Sequence, residues 1–312
     1  LGGEQGLGLY DPAAQHSGYT PLKPEGAEGI YNAFSRFVDS KVDGRRYVAD
    51  FYEGKLLVYE NGRLLRTITQ PGNCGILHED RAGQLWVSFG KKLFQLDRKS
   101  LTLKPFDIPP HLLDTSARSY FFSMAQDAAG NYWFGNTSEG VLVWRPKTGD
   151  WWKPGEAEEF IANGVRDLFA DVERHTVWIA TEDYGLFRFD EKTAKFTLYR
   201  QEEADPEHSL GAYIVNAVCE DGQGRIWAAT DPGGISRFDY DAPAGQQFVT
   251  LNSEDGLPSN QVTTLLTDAS GNVWAGTTKG LAWVDARSLR VSSFGKNDGM
   301  ATDFIDMPLS LA

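Results

Sequence analysis

Short runs in which apolar and polar residues alternate, each closed by a turn bearing Gly, Asp or Asn, fill almost the whole chain. One such run is Val262-Thr-Thr-Leu-Leu-Thr267. The turn Asp268-Ala-Ser-Gly271 follows it, then the runs Asn272-Val-Trp-Ala-Gly-Thr277, Leu281-Ala-Trp-Val284 and Arg290-Val-Ser-Ser-Phe294. Alternation with a period of two marks half-buried strands, and four in succession predict one antiparallel sheet. The unit recurs as EDRAGQLWVSFGKKLFQLD, QDAAGNYWFGNTSEGVLVW, ADVERHTVWIATEDYGLFRFD, EDGQGRIWAATDPGGISRFD and TDASGNVWAGTTKGLAWVD. Each copy sets an acidic turn ahead of a tryptophan, and Trp86, Trp133, Trp178, Trp227 and Trp274 follow at intervals of 47, 45, 49 and 47 residues. Four-stranded units at that period predict an all-β β-propeller.

Two further copies are degenerate. Gly44-Arg-Arg-Tyr-Val-Ala-Asp50 and Gly54-Lys-Leu-Leu-Val-Tyr59 keep the pattern with Tyr47 in the tryptophan's place. The opening Leu1-Gly-Gly-Glu-Gln-Gly-Leu-Gly-Leu-Tyr-Asp11 aligns without a gap on Ala275-Gly-Thr-Thr-Lys-Gly-Leu-Ala-Trp-Val-Asp285, which places residue 1 inside a second strand. At the other end, Asn297-Asp-Gly-Met-Ala-Thr-Asp303 repeats the lead-in Glu254-Asp-Gly-Leu-Pro-Ser-Asn260, and residues 305–312 follow as a first strand. The two ends are complementary pieces of one blade, so the expectation is a seven-bladed ring closed by its terminal strands, with no open sheet edge at the join. The expected blades are 1–23 with 305–312, 31–70, 74–107, 120–153, 164–200, 213–251 and 261–295, all in one domain. Because the split blade lacks part of a strand, the sequence reads as a segment of a longer protein.

The turn residues have local reasons to be there. Asp accepts backbone hydrogen bonds two residues on, and Gly supplies the positive φ that closes a short hairpin; His175 stands where one such Gly belongs. The tryptophans suit packing between neighbouring sheets and are assigned to the core. Cys74 and Cys219 fall in innermost strands of different blades, too far apart for a disulfide, and are expected as buried thiols. A formal net charge of −13 excludes a phosphate-neutralising nucleic-acid surface, and no apolar run is long enough for a transmembrane helix.

The wording of the repeat adds a resemblance. DASGNVWAGTTKGLAWVD, the lead-ins NSEDGLPSNQV and ADPEHSLGAYIVN, and the closing NDGMATDF are similar to the two-component regulator propeller repeat family. The combination of D-x-x-G-x-x-W with G-T-x-x-G-L carries the likeness along essentially the whole chain. The resemblance implies a periplasmic, extracytoplasmic sensor domain of a bacterial transmembrane signalling protein, either a histidine kinase or a diguanylate cyclase. The propeller itself would be non-catalytic and without cofactor, and would work as a homodimer within its parent.

A ligand, if bound, belongs where loops gather around the central channel. Loops from the fourth strand to the next first strand offer Asn73, Arg118, Tyr120, Asn163, Arg166, Tyr213, Asn216 and Asn260; loops from second to third strands offer Tyr52, Glu139, Tyr184, Asp231 and Lys279. Arg and Tyr combine flat stacking surfaces with donors, which suits a small polar ligand such as an oligosaccharide. The expected ligand-binding set is Asn73, Arg118, Tyr120, Asn163, Arg166, Tyr184, Tyr213, Asn216 and Asn260, with no catalytic and no metal residues. His16, His78, His111, His175 and His208 fall in different parts of the repeat and do not converge. The acidic run Glu202, Glu203, Asp205, Glu207 lacks the alternating ligands and central Gly of a calcium loop. A protein-binding scaffold and a polysaccharide-active or lyase-type propeller enzyme stand as the other function classes.

Overall fold

The computed structural model describes residues 2–3, 6–11, 16–20, 35–113, 119–155, 159–298 and 300, those before residue 36 as backbone only. Six four-stranded antiparallel sheets succeed one another along the chain, each a meander of neighbours. They span residues 35–69 (sheet I), 77–106 (II), 121–152 (III), 165–199 (IV), 214–251 (V) and 262–294 (VI). A three-stranded ribbon, Gly2–Gly3, Gly6–Asp11 and His16–Thr20, precedes them. The strand anticipated over 305–312 lies outside the described residues.

Each sheet puts its first strand at the hub. The five apolar clusters between consecutive sheets are the core, and each draws its residues from two neighbours: Trp227 of sheet V packs with Val262, Val273 and Ala282 of sheet VI, for example. Trp86, Trp133, Trp178 and Trp227 are at most 1% exposed. Three of these indoles lie against aromatic rings of the following sheet, Trp86 on Tyr132 at 5.1 Å, Trp133 on Phe189 at 5.0 Å and Trp178 on Phe238 at 5.0 Å. Burial of one such ring system stabilises by about 5 kcal/mol at most. Trp274, with no described side chains in a sheet after it, is half-buried.

The acidic turn has a tertiary role as well as a local one. In sheet II, Asp80 Oδ1 accepts the amides of Ala82 and Gln84 while Oδ2 accepts Trp86 Nε1 at 2.8 Å. Asp127 and Asp221 do the same for Trp133 and Trp227, at 2.9 and 2.7 Å. One carboxylate therefore ties the hairpin to the buried indole. Sheet IV substitutes a relay, Trp178 Nε1 donating to Tyr240 Oη and Tyr240 Oη to Asp171 Oδ2. In sheet I, Tyr47 Oη donates to Asp43 Oδ2 at 2.6 Å. The turn glycines Gly83, Gly130, Gly224 and Gly271 have φ between 76° and 89°, and His175 occupies the equivalent place at φ 58°.

Candidate functional site

Register brings one residue of every first strand to a common height at the hub. Val38, His78, Ala125, Phe169, Cys219 and Leu266 pair with Tyr47 or the following tryptophans of their own sheets. Two positions earlier stand Arg36, Ile76, Ser123, Asp167, Ala217 and Thr264, which form the adjoining layer. Strands in sheets III to VI are bulged just before that layer, with Phe122, Arg166, Asn216 and Thr263 as the extra residues. Bulges re-aim the side chains on either side of them.

Between these strands lies a cavity of about 510 Å³, lined by first-strand residues of all six sheets. Glu79, Arg81, Gln126, Val172, Glu220 and Thr267 place its mouth on the face of the Asp turns. Near the opposite face an aromatic cluster bridges sheets I and III. Phe51 lies 5.0 Å from Tyr120 and 5.9 Å from Phe122, and the Arg36 guanidinium sits 4.3 Å from the Phe122 ring centroid.

The polar groups inside are few and unevenly satisfied. Arg36 is 9% exposed, and its Nη2 has no hydrogen-bond partner among the described residues; the Ser123 hydroxyl, in a residue 1% exposed, is likewise unpartnered. Asp167 accepts the amides of Leu168 at 2.9 Å and Val218 at 3.0 Å. Even so, burial pushes its carboxyl up from 3.8 to about 6, because the amides and distant Arg36 only partly offset the loss of water. Burial pulls His78 down from 6.5 to about 4, leaving a neutral imidazole at pH 7. Burial also lowers Arg36, opposed by Asp167 and Cys74, but a guanidinium stays charged in proteins, so the shift reads as the cost of an under-solvated cation. Cys219 lines the same wall, and burial holds its thiol up at about 12. Cys74 is a second buried free thiol; it lies in the loop ahead of the sheet II first strand rather than in the strand itself.

The described residues among those anticipated from loop position lie outside this cavity. Tyr120 packs in the aromatic cap, where burial raises its pKa and Arg166 lowers it. Arg166 pairs with Glu182 at 2.8 Å. Arg166 and Asn216 sit within first strands, as the bulged residues, and not in the loops before them. Asn216 Nδ2 donates to Val262 O at 2.8 Å, a strut between sheets V and VI, and Asn260 Oδ1 accepts the Ser253 amide at 2.7 Å. Asn73 and Asn163 contribute backbone carbonyls to Gly90 and Gly140. Tyr184 has Arg200 6.0 Å above its ring, and Tyr213 is 47% exposed. Arg118 lies outside the described residues. Among the second-to-third-strand residues, Glu139 pairs with Lys91 at 3.0 Å and accepts Ser119 Oγ, while Asp231 accepts Gln261 Nε2. Lys279 donates its amide to Thr277, and Tyr52 packs on Phe51.

The groups missed from sequence are Arg36, Ser123 and Asp167. Comparing one position across the repeats, two before the residue facing the tryptophan, would have shown Arg, Ser, Asp and Thr mixed with Ile and Ala. The histidines stay apart: His208 pairs with Asp205 at 2.9 Å, and His175 lies 4.0 Å from Glu191. No cluster of three or more His, Cys, Asp or Glu suited to a metal occurs among the described residues.

The chain is similar to several known proteins. The model described as two-component regulator propeller matches residues 209–231 and 256–279, in sheets V and VI. Histidine kinase P4 of Formosa agariphila is 26% identical over 229 residues, covering 70% of this chain; the chain spans only 16% of that protein's length. Among solved structures, PorZ, a surface component of the type-IX secretion system of Porphyromonas gingivalis, superposes with a TM-score of 0.66 at 13% identity, over 95% of this chain and 46% of PorZ. Virginiamycin B lyase of Staphylococcus aureus superposes at 0.63 with 10% identity over 85% of each chain. The extracellular domain of a putative hybrid two component system of B. thetaiotaomicron aligns at 22% identity over 93% of this chain and 36% of that one, with a TM-score of 0.46. At such identities the first two structural likenesses are likenesses of fold. Two stretches of the chain, in sheets V and VI, thus match the two-component regulator propeller repeat.

Proposed function

We propose that this chain is the extracytoplasmic sensor domain of a bacterial transmembrane signalling protein, and that it binds a small molecule without transforming it. The observation that carries the reading is the cavity at the hub, lined by all six first strands and holding polar groups without partners. Rigid strands that converge on a pocket with a few polar groups are suited to recognition. The family repeats and the resemblance to a histidine kinase support the signalling role. In this reading the ring has seven blades, the ribbon of residues 2–20 being completed by the strand anticipated at 305–312, and the periplasmic domain pairs as a homodimer in its parent.

The test is a thermal-shift screen of the purified chain against oligosaccharides, amino acids and small organic anions, followed by NMR of the bound compound. A ligand at a hundred times its Kd stabilises the folded state by about 2.7 kcal/mol, well above the scatter of such screens. Recovery of the ligand unchanged supports the sensor; its steady conversion to a product would make the domain an enzyme and end this reading.

A further inference from the structure

The hub holds a buried cation that no described side chain meets in an ion pair. Arg36 is nine-tenths buried and aimed into the cavity, yet no described carboxylate comes within ion-pair distance of it. Asp167, in the same layer, spends its oxygens on the Leu168 and Val218 amides. A buried guanidinium with an idle N–H is costly unless something anionic meets it.

The surroundings narrow what that anion is. The Phe122 ring covers one side of the guanidinium at 4.3 Å and Nη2 is left free to donate to a planar acceptor. Ser123 Oγ, in the same layer, lies over Gly135 beside Val165, in the seam between sheets III and IV. Ile76, Leu77, Met124, Leu168, Val218 and Leu265 make the walls apolar, which suits a hydrocarbon body. At the mouth Glu79 and Glu220 are paired with Arg98 and Arg174, so it is the single buried cation and the apolar walls that favour a singly charged ligand.

We propose that the hub cavity binds a small organic monocarboxylate, its carboxylate on Arg36 and its apolar part along the Ile76, Met124 and Leu168 walls. The proposal rests on reading the domain as a ligand-binding module and names the ligand class of that same cavity.

The experiment titrates the purified chain with butyrate and benzoate, with butyramide and inorganic phosphate as comparisons, reading melting temperature and heat of binding. The carboxylates should raise the melting temperature saturably, while butyramide and phosphate leave it unchanged. Arg36→Met should weaken carboxylate binding about tenfold or more. Without ligand, Arg36→Met should melt no lower than the wild type, because it removes a buried charge that has no partner. Arg36→Lys, which keeps the charge without the fork, should fold and bind weakly.

Failure of both carboxylates at tens of millimolar, equal binding of butyramide or phosphate, or wild-type binding in Arg36→Met would overturn the assignment. So would an unliganded Arg36→Met that melts far below the wild type, since that reports an internal partner for the guanidinium. A neutral ligand that binds and is recovered unchanged overturns this proposal alone; turnover of a bound carboxylate overturns the sensor reading alone.

Discussion

Replacing Asp127 by Asn tests whether the acidic turn holds the tryptophan or merely shapes a hairpin. Asp127 is 1% exposed; its Oδ1 accepts the Asn131 amide at 2.7 Å, and Oδ2 accepts Asn131 Nδ2 at 2.8 Å and Trp133 Nε1 at 2.9 Å. All three partners are donors. A carboxamide of the same shape has one oxygen and one NH₂, so either the turn amide or the indole must face a donor. Each hydrogen bond to a charged group contributes about 1.5–3 kcal/mol, and a buried indole N–H left alone costs about 1–3 kcal/mol. Against this stands the relief of a buried carboxylate that has no ion pair among the described residues, which recovers part of the loss. The balance gives a destabilisation of about 2–4 kcal/mol for Asp127→Asn, whereas a purely local turn residue would cost under about 1 kcal/mol. Urea unfolding followed by tryptophan fluorescence and circular dichroism, with an unchanged slope, measures it. In a double-mutant cycle with Trp133→Phe the coupling should be about 1.5–3 kcal/mol. An Asp127→Asn stability within 0.5 kcal/mol of the wild type, or no coupling, would refute the carboxylate tie.

Tyr240→Phe removes the relay between Trp178 and Asp171 while keeping the ring packed under Arg174, so it should destabilise by about 1–3 kcal/mol in the same urea assay. His175→Gly should stabilise by up to about 1 kcal/mol, because His175 holds φ 58° where the other turns have Gly; a loss of stability would show that its contact with Glu191 outweighs backbone strain. The hub should titrate in two opposing ways. Asp167 keeps its proton in the fold up to about pH 6 but loses it near 4 when unfolded, so its contribution to stability falls by about 3 kcal/mol as pH rises through that window. His78 stays neutral in the fold down to about pH 4, so its contribution rises by a similar amount between about 4 and 6.5. Arg36 faces both groups, Asp80 and Glu79 act on His78, and the two slopes largely cancel in the wild type. Asp167→Asn should therefore become more stable from pH 4 to 6.5 and His78→Gln less stable; urea midpoints that stay parallel to the wild type in both variants would remove this account.

Most of the fold was legible because propeller sheets solve one packing problem repeatedly. The same turn, indole and inner strand recur in sheets II to VI, and repetition makes even a weak strand pattern readable. His175 could be placed in a glycine position from alignment alone, and its positive φ follows. The tie between Asp and Trp was less visible, since six residues separate Asp80 from Trp86 and nothing in the spacing states that the indole N–H turns back to the carboxylate. Sheet VI shows why spacing is an unsafe guide there: Asp268 Oδ2 accepts Trp283 Nε1, from the third strand, instead of Trp274.

The hub was illegible for the opposite reason. A first strand contributes only a few residues to the channel, and what they do there depends on the residues that five other strands bring to the same height. Arg36, followed by Phe37 and Val38, reads as an ordinary strand residue, and only its position over Phe122 of sheet III makes it a buried cation. Asp167 likewise reads as surface polarity until Val218 of sheet V closes over it. Loop position led instead to Asn216 and Asn260, whose amides are already committed to Val262 and Ser253. In a ring, repetition along the chain encodes the blades, while the departures from repetition at one height encode what the hub can bind. The discriminating comparison in related chains is therefore made layer by layer around the channel, at the positions of Arg36, Ser123 and Asp167.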